Sequence, residues 1–329
     1  MCSILILFKK SNLIYLMQDA EYNILIIVNP KSGISNSISK LNYFTFNYMK
    51  KEKYKIITIK NENFLNYFIE DIDTYKHILV FGGDGTISSV VQHIIKKNIS
   101  IGHIPTGSGN GLTNSLLATR NIHMENDLTT VYKNLSNAIT NNITNMIDTM
   151  TVKMLNTNQT IHSFLFLSCG IFSNLDLNTE WMRKLGELRF ILGAIYELIK
   201  YFFFGNSIYG ELEYLDSDNN VKITEKGQFV FFLASNNSHT SRTAITSPYS
   251  KPDDGYIYLS YLIEPTNTWN LLLILLGLED GSYIDKLKYR KTTWFRFTPT
   301  NGIYDIDGER YNIEPIEVSI NPKSLRFLY

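Results

Sequence analysis

Three apolar, β-branched runs in the first third of the chain each end in a turn of glycine, asparagine or proline. Asn23–Val28 (NILIIV) meets Asn29-Pro30-Lys31-Ser32-Gly33. His77–Phe81 (HILVF) meets Gly82-Gly83-Asp84-Gly85-Thr86, and Ile101–Ile104 meets Pro105-Thr106-Gly107-Ser108-Gly109-Asn110-Gly111. Helical spacing follows the turns: Ile87, Val90, Val91, Ile94 and Ile95 share one side of Ile87–Lys97, and Asn36–Lys50 shows a similar period. A short strand, Lys55–Ile59, and a helix over Phe64–Ile72 fill the interval. Strands alternating with helices dictate a βαβ domain with a parallel sheet. In such a sheet the turns collect at the carboxyl ends of the strands, the edge where open α/β sheets bind ligands.

Taken alone, VNPKSG is an ordinary strand-to-helix turn. GGDGT says more. Capping explains an aspartate at a helix start, but not three glycines around it. Glycine lets the backbone approach a ligand closely, and the helix N-terminus beyond favours anions. GSGNGL is not the dinucleotide fingerprint, because Gly111 comes one place too early and the motif follows the fourth strand; nor is it a Walker loop. Together the turns describe a polyphosphate site holding a carboxylate, Asp84. A carboxylate beside a γ-phosphate can accept the proton of an attacking hydroxyl, a recurring part of kinase chemistry.

Beyond about Asn145 strands follow strands: Thr149–Leu155, Ser163–Ser168, Ile208–Leu215, Gln228–Ala234, Tyr256–Leu262, Trp294–Thr298 and Ile316–Ile320. One helical stretch, Thr179–Phe204, interrupts them. This pattern predicts a second, mainly antiparallel domain. The expected organisation is an extension over residues 1–22, a nucleotide-binding domain over 23–146 and a β-rich domain over 147–329. Arg183 and Arg189, six apart, do not share a face of an ideal helix unless it bends near Gly186. Arginine suits phosphate oxygens, yet spacing alone favours a solvated helix with Arg183 and Glu187 paired.

Other classes are excluded by composition. The chain is 44% hydrophobic, which supports a folded core, and its 31 basic residues match 31 acidic ones, so no basic excess points to nucleic acid. Two cysteines, Cys2 and Cys169, fit no metal or disulfide pattern. The apolar start Ile4–Phe8 is too short for a signal peptide, and Met17 is an alternative first residue. No window reaches the roughly 20 apolar residues of a membrane span. Leu271–Leu278 and Leu192–Phe204 read as core helix faces. The expectation is a cytoplasmic protein that visits membrane surfaces transiently.

IIVNPKSG, GGDGT and PTGSGNGL, in this order, resemble the diacylglycerol kinase catalytic-domain superfamily. SNLDLNTEWMRKLGELRFILG resembles the fourth conserved block of sphingosine kinases, in which an aspartate-rich strand end leads into R-x-L-G-E-x-R-F. NNSHTSRTAITSPYSKPDDGYIYLSYL and Ile306–Glu309 resemble later blocks, so the likeness runs from Asn23 to the C-terminus. It implies a phosphofructokinase-like α/β domain, a β-sandwich that holds the lipid tail, and ATP with Mg²⁺ between them. It assigns Asp84 as the catalytic base, shared with the lipid hydroxyl, and Asp176 as the acid that recognises the lipid head. Nucleotide contacts fall to Asn29, Pro30, Lys31, Thr58, Gly82, Gly83, Gly85, Thr86, Gly107, Ser108 and Gly109, and to Asp307, Gly308 and Glu309. Arg183 and Arg189 become phosphate ligands, reversing the spacing argument. Magnesium ligands stay unassigned. The implied reaction is phosphorylation of a sphingoid base, with diacylglycerol or another lipid as the alternative acceptor. Three departures stand out: Ser89 where the family usually has Glu, Gln92-His93 where Asn-Gly often stands, and Gly111 where sphingosine kinases usually have Ala. Loss of the Glu leaves a catalytically weak lipid- or nucleotide-binding protein as the reading from another class.

Overall fold

The computed structural model describes residues 22–32, 37–59, 71–120, 128–186 and 188–329, without the side chains of Arg183 and Lys184. The N-terminal extension through residue 21, Gly33, most of the expected Phe64–Ile72 helix, Glu187 and the Arg183 side chain therefore lie outside the described residues.

The first half builds β1 (Ile24–Val28), α1 (Ser37–Tyr48), β2 (Tyr54–Thr58), β3 (His77–Gly82), α2 (Asp84–Ile94), β4 (Ser100–Pro105), α3 (Gly111–Ala118) and α4 (Leu128–Asn141). The strands run parallel in the order β2-β1-β3-β4. Helices cover both faces, which explains why β1 and β3 read as continuous apolar runs rather than alternating ones. Leu25, Ile27, Ile78 and Val80 pack against Ile87, Val90, Val91, Leu112 and Leu116 from α2 and α3. Ile24, Ile26, Leu79 and Phe81 pack on the other face against Leu41, Phe44, Tyr132 and Leu135 from α1 and α4. Val28 lies in register with Thr58 and Phe81, and Phe81 with Ile104. The three glycine- and asparagine-bearing turns thus leave the sheet from one rung.

The second half contributes β5 (Asn145–Met154), β6 (Thr160–Ser163), β7 (Phe166–Gly170), α5 (Ile171–Leu177), α6 (Leu188–Phe204), β8 (Ile208–Leu215), β9 (Lys222–Ser235) and β10 (Ile257–Ile263). It continues with α7 (Thr268–Leu276), β11 (Lys288–Thr292), β12 (Trp294–Pro299), β13 (Ile303–Ile306), β14 (Glu309–Asn312) and β15 (Ile316–Leu328). Its internal pairings are antiparallel. The strands wrap round one core in which Met150, Phe232, Tyr261, Phe295, Phe297 and Val318 are fully buried. Helices α5, α6 and α7 form a satellite core on Phe231 and Leu262. The two halves are joined by β15. It pairs antiparallel with β5 and β12, and its last residues run parallel to β4, with Arg326 opposite Ser100.

Two expected elements divide. The strand expected over Ser163–Ser168 breaks between β6 and β7. The helix expected over Thr179–Phe204 splits into a tight 3₁₀ turn, Glu180–Leu185, and α6, with Gly186 at φ +58° between them. That conformation is cheap only for glycine. Asp176 stands on the short helix α5, not on a strand end.

Candidate active site

The site forms where the strand-end turns of the first half meet β7, α5 and the β13–β14 hairpin of the second. Asn29 begins it. Its amide donates to Thr86 Oγ1 at 3.1 Å, its Oδ1 accepts from the Lys31 N–H at 3.0 Å, and the Ser32 and Thr106 hydroxyls share a hydrogen bond. Those contacts tie the first turn to the second and third. The second and third also touch backbone to backbone: a methyl group on Gly107 would fall 2.6 Å from the Gly83 Cα. Only glycine fits there, so both loops present bare main chain to whatever lies above. Pro30, Lys31 and Thr58 are exposed on the same rim, while Ser108 and Gly109 are half-buried.

His103, which the motif reading passed over, supports these loops from below. Burial pushes its pKa down to about 4, so the ring is neutral. Nε2–H donates to the Gly82 carbonyl at 3.0 Å, and Nδ1 accepts from the Thr113 hydroxyl. A lone histidine in an apolar strand carries no sequence signal of that role. Lys40 reaches the same region and donates to the Pro105 carbonyl at 3.1 Å.

Asp84 opens α2 and is half-buried. Its carboxylate accepts from the first two N–H groups of α3, Gly111 at 2.9 Å and Leu112 at 3.3 Å. Burial raises its pKa to about 6, and the negative charge of Asp176 adds to the rise, against the lowering by those two N–H donors. A carboxyl poised there is ionised at neutral pH yet basic enough to take a hydroxyl proton. Gly111 is pinned from outside: a methyl group on it would meet the main chain of His239 and Thr240 at 2.8 Å. The His239 N–H donates to Ser115 Oγ at 3.0 Å, so a loop of the second half seats directly on the α3 N-terminus.

The last motif arrives from the β13–β14 hairpin. Asp307 and Gly308 form its two-residue turn with φ of +52° and +86°. Exposed Glu309 extends over the α2 N-terminus, where a methyl group on Gly85 would lie 3.3 Å from its Oε1. Asp307 points the other way. Fully buried, it accepts from Ser163 Oγ at 2.8 Å and from the N–H groups of Phe164, Leu165 and Phe166 at 3.0 Å. That carboxylate holds the turn that divides β6 from β7. Burial lifts its pKa to about 6 in spite of four donors.

Asp176 on α5 pairs with buried Arg189 at 2.9 Å. Arg189 also lies over the Phe190 ring. Its Nε and Nη1 have no hydrogen-bond partner among the described residues. Arg189 thus belongs to the site and faces Asp176, whereas the Arg183 side chain lies outside the described residues. Ser89 turns its hydroxyl back to the Gly85 carbonyl at 3.0 Å. Gln92 does more: its amide donates to the His162 carbonyl at 2.7 Å and accepts from the His162 N–H at 2.8 Å. It pairs with the free edge of β6 as a strand would, and so clamps α2 to the second half.

The diacylglycerol kinase catalytic domain profile matches residues 23–152. The chain is 22% identical to sphingosine kinase 1 of Rattus norvegicus, over 92% of this chain and 89% of that one. It is 25% identical to sphingoid long chain base kinase 4 of Schizosaccharomyces pombe, over 77% of this chain and 62% of that one. The fold is similar to the crystal structure of a diacylglycerol kinase from Bacillus anthracis, with a TM-score of 0.66 at 16% identity, over 94% of this chain and 98% of that one. The carboxylate on two converging glycine loops thus lies in the stretch that matches the diacylglycerol kinase catalytic domain, and the chain is similar along most of its length to sphingosine kinases, which supports a lipid kinase.

Proposed function

We propose that the enzyme transfers the γ-phosphoryl group of ATP to a primary hydroxyl of a sphingoid base. The observation that carries this is Asp84: a carboxylate held by two helix N–H donors, raised to about 6, beside glycine loops whose main chains touch. In this reading Asn29, Pro30, Lys31, Thr58, Gly82, Gly83, Gly85, Thr86, Gly107, Ser108 and Gly109 line the nucleotide, with Gly308 and Glu309 closing it from the second half. Asp84 orients the acceptor hydroxyl and takes its proton as the oxygen attacks the γ-phosphorus. Asp176 receives the polar head. Mg²⁺ supplies charge compensation for the phosphates. Asp84 and Glu309 are the carboxylates the chain holds beside the α2 N-terminus, and either suits an oxygen-ligated cation delivered with the nucleotide.

The lipid tail has an apolar path to follow. Leu188, Ile191, Leu192, Ile195, Ile199, Phe202 and Phe203 of α6 are all exposed. Each buried methylene contributes about 0.8 kcal/mol, so such a surface favours a long alkyl chain and transient contact with a membrane. No described helix is long and apolar enough to cross one. A cytoplasmic enzyme that collects its acceptor from a membrane surface fits these features.

The test is transfer of labelled γ-phosphate from ATP with Mg²⁺ to sphingosine, diacylglycerol and ceramide side by side. Wild type should label sphingosine, and Asp84→Asn should lose turnover by roughly a hundredfold or more while still binding ATP. Label confined to phosphatidic acid would move the substrate to diacylglycerol. ATP binding without transfer to any lipid would favour a weak binding protein and make Ser89→Glu the variant to restore activity.

A further inference from the structure

The three glycines of the third turn differ in what stands against them. A methyl group on Gly107 would collide with Gly83, and one on Gly111 with the His239 and Thr240 main chain. Gly109 is open. A methyl group there would meet Asp84 Oδ2 at 3.5 Å and the Cβ and Cα of Ser241 at 3.8 and 3.9 Å, all ordinary van der Waals contacts. The bare Cα of Gly109 is thus the floor of a narrow recess, with the Asp84 carboxylate as one wall and Ser241 as the other. The walls stand about one methyl group apart. Asp84, Gly109 and Ser241 are each only half-buried, so the recess is reached from solvent.

The Ser241 wall is fixed in place. It belongs to a loop closed by an antiparallel bridge between His239 and Ile245. The Thr240 N–H donates to the Ala244 carbonyl at 3.1 Å, and the Thr246 N–H to the Ser238 carbonyl at 3.0 Å. On one side the His239 N–H donates to Ser115 Oγ of α3. On the other the Ile245 N–H donates to the Leu278 carbonyl, just past α7, at 2.7 Å. The loop comes this close to α3 because position 111 carries no side chain. The N–H of that same Gly111 anchors Asp84 Oδ2. One contact between the halves therefore sets both walls.

We propose that this recess seats the carbon that bears the reacting hydroxyl, and that Gly109 and Ser241 are specificity-determining residues that restrict the acceptor to an unbranched primary alcohol. The assignment rests on the reading of the chain as a kinase for a primary hydroxyl, and deepens it. A CH₂OH end lies over the Gly109 Cα with its oxygen beside Asp84 Oδ2. In transfer that oxygen gives its proton to Asp84 and forms the new bond to the γ-phosphorus. The bond from that phosphorus to the β,γ-bridging oxygen breaks, and ADP leaves with the electron pair. A secondary alcohol carries one more carbon at the reacting centre. With floor and walls this close, that carbon turns into Ser241 or the Gly109 main chain, and the oxygen is held off the carboxylate. Misplacement of that kind is costly in rate even where binding survives.

The test is steady-state kinetics of the full chain with ATP and Mg²⁺ in mixed detergent micelles. Sphingosine is compared with its 1-methyl analogue, a secondary alcohol at the reacting carbon. Wild type should favour sphingosine in kcat/KM by about a hundredfold. Ser241→Gly removes one wall and should shrink that preference at least about tenfold, through faster transfer to the analogue, with KM for ATP unchanged. Gly109→Ala raises the floor by a carbon that the fold accommodates, so the variant should melt with wild type or slightly above it. It should lose about tenfold or more in kcat/KM for sphingosine while binding ADP as wild type does. An unaltered preference in Ser241→Gly would overturn the assignment. So would a Gly109→Ala variant that loses ADP affinity and keeps its KM for sphingosine, since the nucleotide then fills the recess. If Gly109→Ala fails to fold, the Ser241→Gly comparison decides alone. Wild-type transfer to diacylglycerol and not to sphingosine removes the sphingoid-base reading only, and diacylglycerol with its methyl-substituted analogue then carries the same comparison. Transfer to no lipid removes the kinase reading and the recess together.

Discussion

Asp307→Asn separates two roles for the acid of the C-terminal motif. Resemblance makes it a nucleotide contact, but its geometry makes it the clasp of the Ser163–Phe166 turn. Oδ1 accepts from Ser163 Oγ, Leu165 N–H and Phe166 N–H, and Oδ2 from Phe164 N–H. An amide retains one acceptor oxygen and turns an NH₂ toward the Phe164 N–H. One buried donor is then stranded, at roughly 1–3 kcal/mol, and three charge-assisted bonds become neutral ones, each weaker by about half. The expected loss is about 3–4 kcal/mol. For a chain of 329 residues that lowers Tm by about 4–6 °C. Differential scanning calorimetry at neutral pH, where the wild-type carboxylate is largely ionised, measures it, with ATP binding followed on the folded variant below its transition. A variant that melts with wild type yet loses ATP affinity would refute the clasp and restore the direct nucleotide contact.

Other outcomes follow from the same geometry. With Asp84 as the proposed base, its ionised form reacts, and burial raises its pKa to about 6, so kcat/KM should fall by roughly tenfold per pH unit below that point and level off above it; a profile with no acid limb between pH 5 and 7 would count against it as the base. Gln92→Ala leaves the His162 N–H and carbonyl without their partners and should cost about 1–3 kcal/mol in denaturant unfolding, with an unaltered midpoint refuting the clamp. Gly111→Ala drives a methyl group into the His239–Thr240 main chain and should cost about 1–3 kcal/mol, with a fall in kcat as the Asp84 anchor shifts. Wild-type kcat with unchanged stability in that variant would mean that the loop yields freely.

The parallel half was legible because its signals are local and agree: apolar runs of strand length, helical spacing between them, and glycine at the turns. The convergence of Asp84, Asn29 and the Gly107 loop followed from topology once the strands were placed. Several other elements were not legible. β11 reads KYRKT and has no apolar pattern to announce an edge strand, and α5 is seven residues long, too short for a helical period. β15 runs on to Leu328, past the expected end at Ile320, because Asn321-Pro322-Lys323-Ser324 looks like a turn. In the folded chain it is a register shift within one strand, with Lys323 at φ +50°. The Asp-Gly turn of β13–β14 did carry a hairpin signal, hidden by its place in a recognised motif. The break at Phe164–Leu165 depends on Asp307, far along the sequence, and no local window contains that information. His103 and Gln92 share this property: each acts through a partner that only the fold brings near.

The β15 strand ties synthesis to folding. A ribosome delivers the whole parallel half long before it delivers Arg326, the residue that pairs with Ser100. Until then β4 presents an open edge of unpaired backbone groups, the kind of template that invites association with other chains. The first half therefore cannot complete its sheet before β15 is made. The nascent first half must wait, or be held, and a chain cut before Arg326 would keep every motif of the site while leaving its sheet unsealed.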